Sequence, residues 1–121
     1  MNGPSIFVFG SNRAGRHGKG AALHARTNCR AEQGVGEGRT GMAYALPTKD
    51  EDLNPVPLEA IASSIDKFLE CAVENPTLDF LVTPIGTGLA GHPRRDIAGL
   101  FMARDIPENV IFSREWFQPS K

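Results

Sequence analysis

The sequence predicts an α/β fold, a mostly parallel sheet with helices on both faces. Three observations carry that expectation. Short apolar runs that read as buried strands (Ile6–Phe9, Met42–Leu46 and Leu78–Val82) alternate with segments patterned as helices. Parallel neighbours need a crossover between them, and a helix is the usual crossover. Two of those strands run directly into glycine-rich turns, Gly10–Gly20 and Thr83–Pro93, each of which leads into a helix. A turn of that kind presents backbone N–H groups to an anion, most often a phosphate.

The elements follow in chain order. Ile6–Phe9 is continuously apolar and closed by Gly10, the pattern of a strand buried on both faces. Gly18 to about Arg30 reads as a helix, and its small residues Ala21, Ala22 and Ala25 allow close approach to a sheet. Gln33–Gly41 holds four glycines and reads as a mobile loop with room for a short strand. Met42–Leu46 is the second strand, with Pro47 as its expected end. Leu58–Val73 is the clearest helix. Leu58, Ile61, Ala62, Ile65, Phe68, Leu69, Ala72 and Val73 share one face, opposite Glu59, Ser63, Asp66, Lys67, Glu70 and Glu74. Asn75-Pro76 stops it, because the residue before proline disfavours the helical region. Leu78–Val82 is the third strand. Pro93 and Asp96 open a helix that runs to about Arg104, with Ile97, Leu100 and Phe101 inward. Asn109–Phe112 closes the series as a short strand.

A chain of 121 residues is expected to form one domain over 1–121, with a core of useful size. The formal net charge of -1 leaves no global footprint for nucleic acid. Basic residues do gather locally, at Arg13, Arg16, Lys19, Arg26 and Arg30 and again at Arg94 and Arg95. They suit a small anionic ligand or, equally, a solvated surface. Cys29 and Cys71 fall in separate helical segments without C-x-x-C spacing, which argues against zinc and a disulfide framework and for a reducing compartment. The N-terminus lacks the pattern of a signal peptide, and no run approaches the roughly 18 apolar residues of a membrane span. The expected location is therefore the cytoplasm, with no membrane partner.

Neither glycine turn is a common nucleotide motif. Gly18-Lys19 is followed by Gly20 in place of Ser or Thr, and Arg13 stands where a Walker A loop has its first glycine. The spacing Gly15-x-x-Gly18-x-Gly20 also departs from the dinucleotide fingerprint.

In combination, however, the segments resemble a known family. A strand ending near Asn12, a glycine-rich turn and a small-residue helix come first. Tyr44-Ala45-Leu46-Pro47-Thr48-Lys49 and Pro84-Ile85-Gly86-Thr87-Gly88-Leu89 follow. The series, from about Ile6 to Phe101, is similar to macrodomains, the three-layer α/β fold that binds ADP-ribose. The compact form is closest to the branch whose glycohydrolases remove terminal ADP-ribose from protein or DNA, and to small macrodomain-like proteins of phages and bacteria.

The resemblance implies specific roles. Gly86, Thr87, Gly88 and Leu89, continued by Ala90 and Gly91, match the loop that wraps a diphosphate with backbone amides. Gly18, Gly20 and Ala21 match the loop that cradles phosphate and distal ribose. Gly10 and Ser11 lead to Asn12, which matches the asparagine that contacts the distal ribose. Pro47 and Thr48 precede Lys49, which matches the lysine that attacks the anomeric carbon in the glycohydrolase branch. Asn12 and Lys49 are thus the implied catalytic pair. That branch also places an aspartate directly after the G-L of the second loop, where this chain has Ala90. Asp50, Asp52 and Asp96 are the carboxylates that would replace it. Many macrodomains bind adenine through an aspartate in a G-D motif on an earlier strand, and the residues before Ile6 hold none.

Three functions follow. The first is binding of ADP-ribose or a related nucleotide diphosphate, with hydrolysis of an ADP-ribosyl bond on protein or DNA. The second is a non-catalytic sensor or sequestering protein for a nucleotide signal, which Ala90 favours. The third is a different nucleotide-sugar or nucleoside hydrolase. No cofactor or metal is implied. Three or four convergent amide bonds to a charged group, at roughly 1.5–3 kcal/mol each, reach micromolar affinity. A lysine nucleophile must first lose a proton that an ordinary lysine keeps at neutral pH.

Plainer roles stand beside these. Asn12 also fits a turn residue in left-handed geometry, and Lys49 a solvated charge. Tyr44 fits core packing or a base stack. His17 and His92 sit in the two turns but are too few for a metal site. His24 fits the edge of a helix, and Trp116 and Phe117 fit a cover over the core.

Overall fold

The computed structural model describes residues 5–15, 20–85 and 92–117, and only the backbone at 20–22. Its elements are β1 (Ser5–Asn12), α1 (Gly20–Asn28), β2 (Gly38–Thr40), β3 (Ala43–Lys49), α2 (Leu58–Glu74), β4 (Asp79–Val82), α3 (Arg94–Met102), β5 (Val110–Phe112) and a 3-10 turn (Arg114–Phe117). The strands lie in the order β2-β3-β1-β4-β5. β1 runs parallel to β3 and β4, and β4 parallel to β5. β2 alone is antiparallel, to β3. Only Gly41 and Met42 separate those two strands, which allows a hairpin and forbids a crossover. Gly41 is needed there: its φ is +57°, and a Cβ would come within 2.5 Å of the Arg30 carbonyl oxygen.

Alternation along the strands divides the core between two faces. Ile6, Val8, Tyr44, Leu46, Phe80 and Val82 meet Ile61, Ile65 and Phe68 of α2 and Ile97 and Phe101 of α3. Phe9, Ala43 and Ala45 face the other way, onto Ala25 of α1 and onto Ala31. The result is the three-layer arrangement expected, with α1 on one face and α2 and α3 on the other. Phe68 is the hub of the larger core, edge-on to Tyr44 at 5.1 Å, Phe80 at 5.6 Å and Phe101 at 6.5 Å.

Tyr44 is therefore core, and the base-stacking alternative falls; burial pushes its phenol well above the ordinary range. Trp116 covers the core as expected: its Nε1 donates to the Val82 carbonyl at 2.8 Å, and its ring meets Phe101 and Phe112 edge-on. Phe117 does not, being 77% exposed.

Several boundaries move, each for a local reason. β1 runs three residues beyond Phe9, because β3 continues to pair with it. β3 in turn passes through Pro47. β2 pairs only with Ala43–Ala45, and Lys49 pairs with Pro55 further on, so Pro47 occupies the gap between two partners on that edge. The β1–β3 register also shifts between Ser11 and Asn12, a bulge beside the residue without an N–H. α1 stops at Asn28, and Arg30 at φ +60° turns the chain away, which leaves Cys29 just beyond the helix. α2 reaches Glu74, where Asn75 donates its N–H to the Ala72 carbonyl and its Nδ2 to the Cys71 carbonyl.

α3 is fastened to α2 by Arg104, whose Nε donates to Asp66 at 2.5 Å and whose Nη1 donates to the Leu100 carbonyl. The hydrogen bond from Arg104 holds the Asp66 carboxyl below its ordinary range. Because the folded value lies under the unfolded one, the pair stabilises the fold above the carboxylate range, and that contribution is lost as pH falls through the lowered value. Asp66→Asn is therefore expected to show a small deficit in urea midpoint at pH 7, small because the carboxylate is exposed, and the deficit is expected to close in strong acid. A deficit that does not change with pH would contradict this. No described helix is long and apolar enough to cross a membrane.

Candidate functional site

Ligands of open parallel sheets bind beyond the carboxyl ends of the strands. Six of the expected site residues stand at that end of two neighbouring strands. Gly10, Ser11 and Asn12 are the last residues of β1, and Pro47, Thr48 and Lys49 the last of β3. Ser11 pairs with Pro47, and beyond the bulge Asn12 pairs with Lys49. The two residues implied as catalytic, 37 positions apart in the chain, are thus register partners. The carbonyl of Lys49 accepts from the Arg13 N–H, and that of Asn12 from the Gly15 N–H, both at 2.9 Å. Thr48 is buried and its hydroxyl donates to the Ser11 carbonyl at 3.4 Å. Asn12 ends a strand and opens the turn that closes at Gly15, but without the left-handed φ of its alternative reading; the described non-glycine residues with positive φ are Arg30 and Leu53.

β4 ends on the other side of β1, with Val82 opposite Val8. Thr83 fixes the exit from β4, its N–H and hydroxyl both donating to the Val8 carbonyl, at 3.3 and 2.7 Å. Ile85 follows, buried. Past the second glycine turn, Nε2 of His92 donates to the Val56 carbonyl at 3.0 Å, and the Val56 N–H donates to the Thr48 carbonyl at 3.1 Å. The described residues that flank the turn are thus tied to β1 on one side and, through Val56, to β3 on the other. Gly86, Thr87, Gly88, Leu89, Ala90 and Gly91 themselves lie outside the described residues, as do Arg16, His17, Gly18 and Lys19. Gly20 and Ala21 open α1, described in their backbone only.

Sequence reasoning missed the segment behind Asn12. Residues 34–36, read as part of a mobile loop, lie directly against the end of β1. The Ser11 hydroxyl donates to the Gly36 carbonyl. The Gly34 N–H donates to the Gly15 carbonyl at 2.7 Å. A Cβ on Gly36 would fall 2.3 Å from the Asn12 carbonyl oxygen, and one on Gly15 2.2 Å from the Gly34 carbonyl carbon. The four glycines of Gln33–Gly41 were the available signal. What they touch was not in the sequence.

Several other reactive groups among the described residues are engaged elsewhere. Oδ1 of Asp50 accepts from the N–H groups of Asp52 and Asn54, at 2.9 and 3.0 Å, so this carboxylate closes its own turn. Asp96 lies in the first turn of α3, 3.8 Å from the Arg95 guanidinium. Burial pushes the Cys29 and Cys71 thiols up, away from thiolate chemistry. His24 packs edge-on against Phe7 at 5.0 Å, at the core edge. Among the described residues no three of His, Cys, Asp and Glu gather as a metal site would require.

No protein-family model matches the chain, and no curated protein sequence does. Solved structures do match. The macrodomain of Mycobacterium tuberculosis DarG superimposes with a TM-score of 0.64 at 20% identity, covering 93% of this chain and 89% of that one. The macrodomain of Thermus aquaticus DarG gives 0.66 at 18% identity, covering 93% and 88%. Thermosipho africanus DarTG, solved in complex with ADP-ribose, gives 0.62 at 16% identity, covering 94% of this chain and 39% of that one. With its sheet order, its three layers and these matches, the chain has the macrodomain fold.

Proposed function

We propose that this protein binds ADP-ribose or a related nucleotide diphosphate at the carboxyl end of β1, β3 and β4. In this reading the amides of Gly86–Gly91 wrap the diphosphate, and Gly18, Gly20 and Ala21 cradle phosphate and distal ribose. Gly10, Ser11, Pro47 and Thr48 line the floor. Asn12 and Lys49 address the distal ribose itself: the neutral Lys49 amine attacks the anomeric carbon, the bond to the modified protein or DNA breaks as its leaving atom takes up the proton the amine loses, and water then hydrolyses the lysine adduct to free ADP-ribose. The observation that carries the proposal is the pairing of Asn12 with Lys49 on adjacent parallel strands. The ADP-ribose complex of a protein with this fold supports the choice of ligand. The free cysteines fit the cytoplasm as the compartment.

Ala90 favours a second reading, in which the same site binds without turnover. It stands where the resembling glycohydrolases carry an aspartate, and Asp50 is committed to its own turn. Titration calorimetry with ADP-ribose, ADP and ribose-5-phosphate tests the ligand: ADP-ribose is expected to bind most tightly, and silence for all three at millimolar concentration would end the proposal. Single-turnover release of ADP-ribose from a modified protein tests the chemistry. Lys49→Ala is expected to slow it by about a hundredfold or more while still binding ADP-ribose. Equal rates would remove Lys49 from the mechanism, and no release by the unmodified protein would leave the binding-only reading.

A further inference from the structure

The contacts behind Asn12 have a functional consequence. Asn12 meets Lys49 across a bulge in β3, where Thr48 is the extra residue, and such a pairing is only as firm as the backbone around it is held. Here part of the hold comes from outside the strand pair. The α-carbon of Gly36 lies so close to the Asn12 carbonyl that a methyl group would sit 2.3 Å from its oxygen and 3.0 Å from the Arg13 α-carbon. The Ser11 hydroxyl ties the same Gly36 through its carbonyl. Gly15, which donates to the Asn12 carbonyl, is held in turn by Gly34. The backbone contacts converge on the peptide unit that follows Asn12, whose own N–H, that of Arg13, joins it to Lys49.

We infer that Gly36 is a positioning residue for Asn12, setting the backbone from which the Asn12 side chain addresses the distal ribose. The inference rests on the site proposed above. In this assignment Gly36 acts through the Asn12 carbonyl, and its lack of a side chain is what permits the approach. A side chain there must push back the end of β1, and a misplacement near 1 Å is enough to lose an oriented contact.

The contribution of the distal ribose separates positioning from general damage, because ADP lacks that ribose. The affinities of the full chain for ADP-ribose and for ADP are measured by calorimetry, before and after Gly36→Ala. ADP-ribose binding is expected to weaken by about tenfold, toward the level of ADP, while ADP binding stays as it was. Ser11→Ala, which removes the tie without adding bulk, is expected to move the same ratio in the same direction, and serves if Gly36→Ala does not fold. Gly99→Ala in α3, where an added methyl meets nothing within 4 Å, is the control expected to leave both affinities alone. Equal weakening of both ligands in the folded variants, or no change in either, would overturn the positioning role. Failure of the unsubstituted protein to bind either ligand would instead bring down the site itself, and the inference with it.

Discussion

Gly15→Ala is expected to destabilise the fold by about 3–5 kcal/mol, a large part of the ~5–15 kcal/mol that holds a domain of this size. Two penalties combine. The residue sits at φ +71°, where an L side chain is strained, and the new methyl would fall 2.2 Å from the Gly34 carbonyl carbon and 2.5 Å from its oxygen. Both contacts are to backbone, so no side chain can swing aside to relieve them. The pair must separate, which breaks the Gly34 N–H to Gly15 carbonyl bond and slackens the turn that closes on Asn12. Gly38 offers the contrast. Its φ is +106°, but a Cβ there meets nothing within 4 Å, so Gly38→Ala carries the conformational strain without the collision. Urea midpoints for the two variants are expected to fall well apart, with Gly15→Ala the lower. Equal midpoints would mean that the close approach of Gly15 to Gly34 contributes nothing.

Phe68→Ala is expected to cost about 3–5 kcal/mol by a different route, the loss of buried surface and the cavity left behind. Phe68 is fully buried on the inner face of α2, and its ring contacts reach β3 through Tyr44, β4 through Phe80 and α3 through Phe101. No single neighbour can relax into the space without abandoning another of these contacts. Phe68→Leu, which keeps most of the volume, is expected to lose less. The same urea series checks both, and a loss under about 1 kcal/mol for the alanine variant would show that the hub repacks freely. Neither variant of Phe68 touches the rim, so binding in the folded fraction is expected to persist.

Legibility in the sequence followed the range of the interactions. The face of α2 was readable because its periodicity is local: the helix buries Ile61, Ile65, Phe68, Leu69 and Ala72 as expected, together with Ser64, while Val73 at its end is exposed. The division into strands and helices was readable for the same reason. Pro47 misled because proline removes one donor without saying which edge of the strand lacks a partner, and the gap between β2 and Pro55 exists only in three dimensions. The strand order, with β1 at the centre, is likewise non-local and was not predicted. At the site, Asn12 and Lys49 were named on a resemblance, and their pairing in register depends on a bulge that no local pattern signals. Gly34 and Gly36 were visible as glycines, but a glycine that frees a loop and one that admits a close contact look alike in a sequence. Phe117 was assigned to the core on hydrophobicity alone, which does not decide whether a terminal aromatic finds a neighbour.

Amide chemical shifts followed through a titration with ADP-ribose show where on the fold the ligand sits. Saturable shifts are expected at Asn12 to Gly15, at Thr48 and Lys49 and from Thr83 to His92, with the outer face of α2 and the β2 edge unmoved. Shifts gathered on those last surfaces, or none at saturating ligand, would contradict the proposed site.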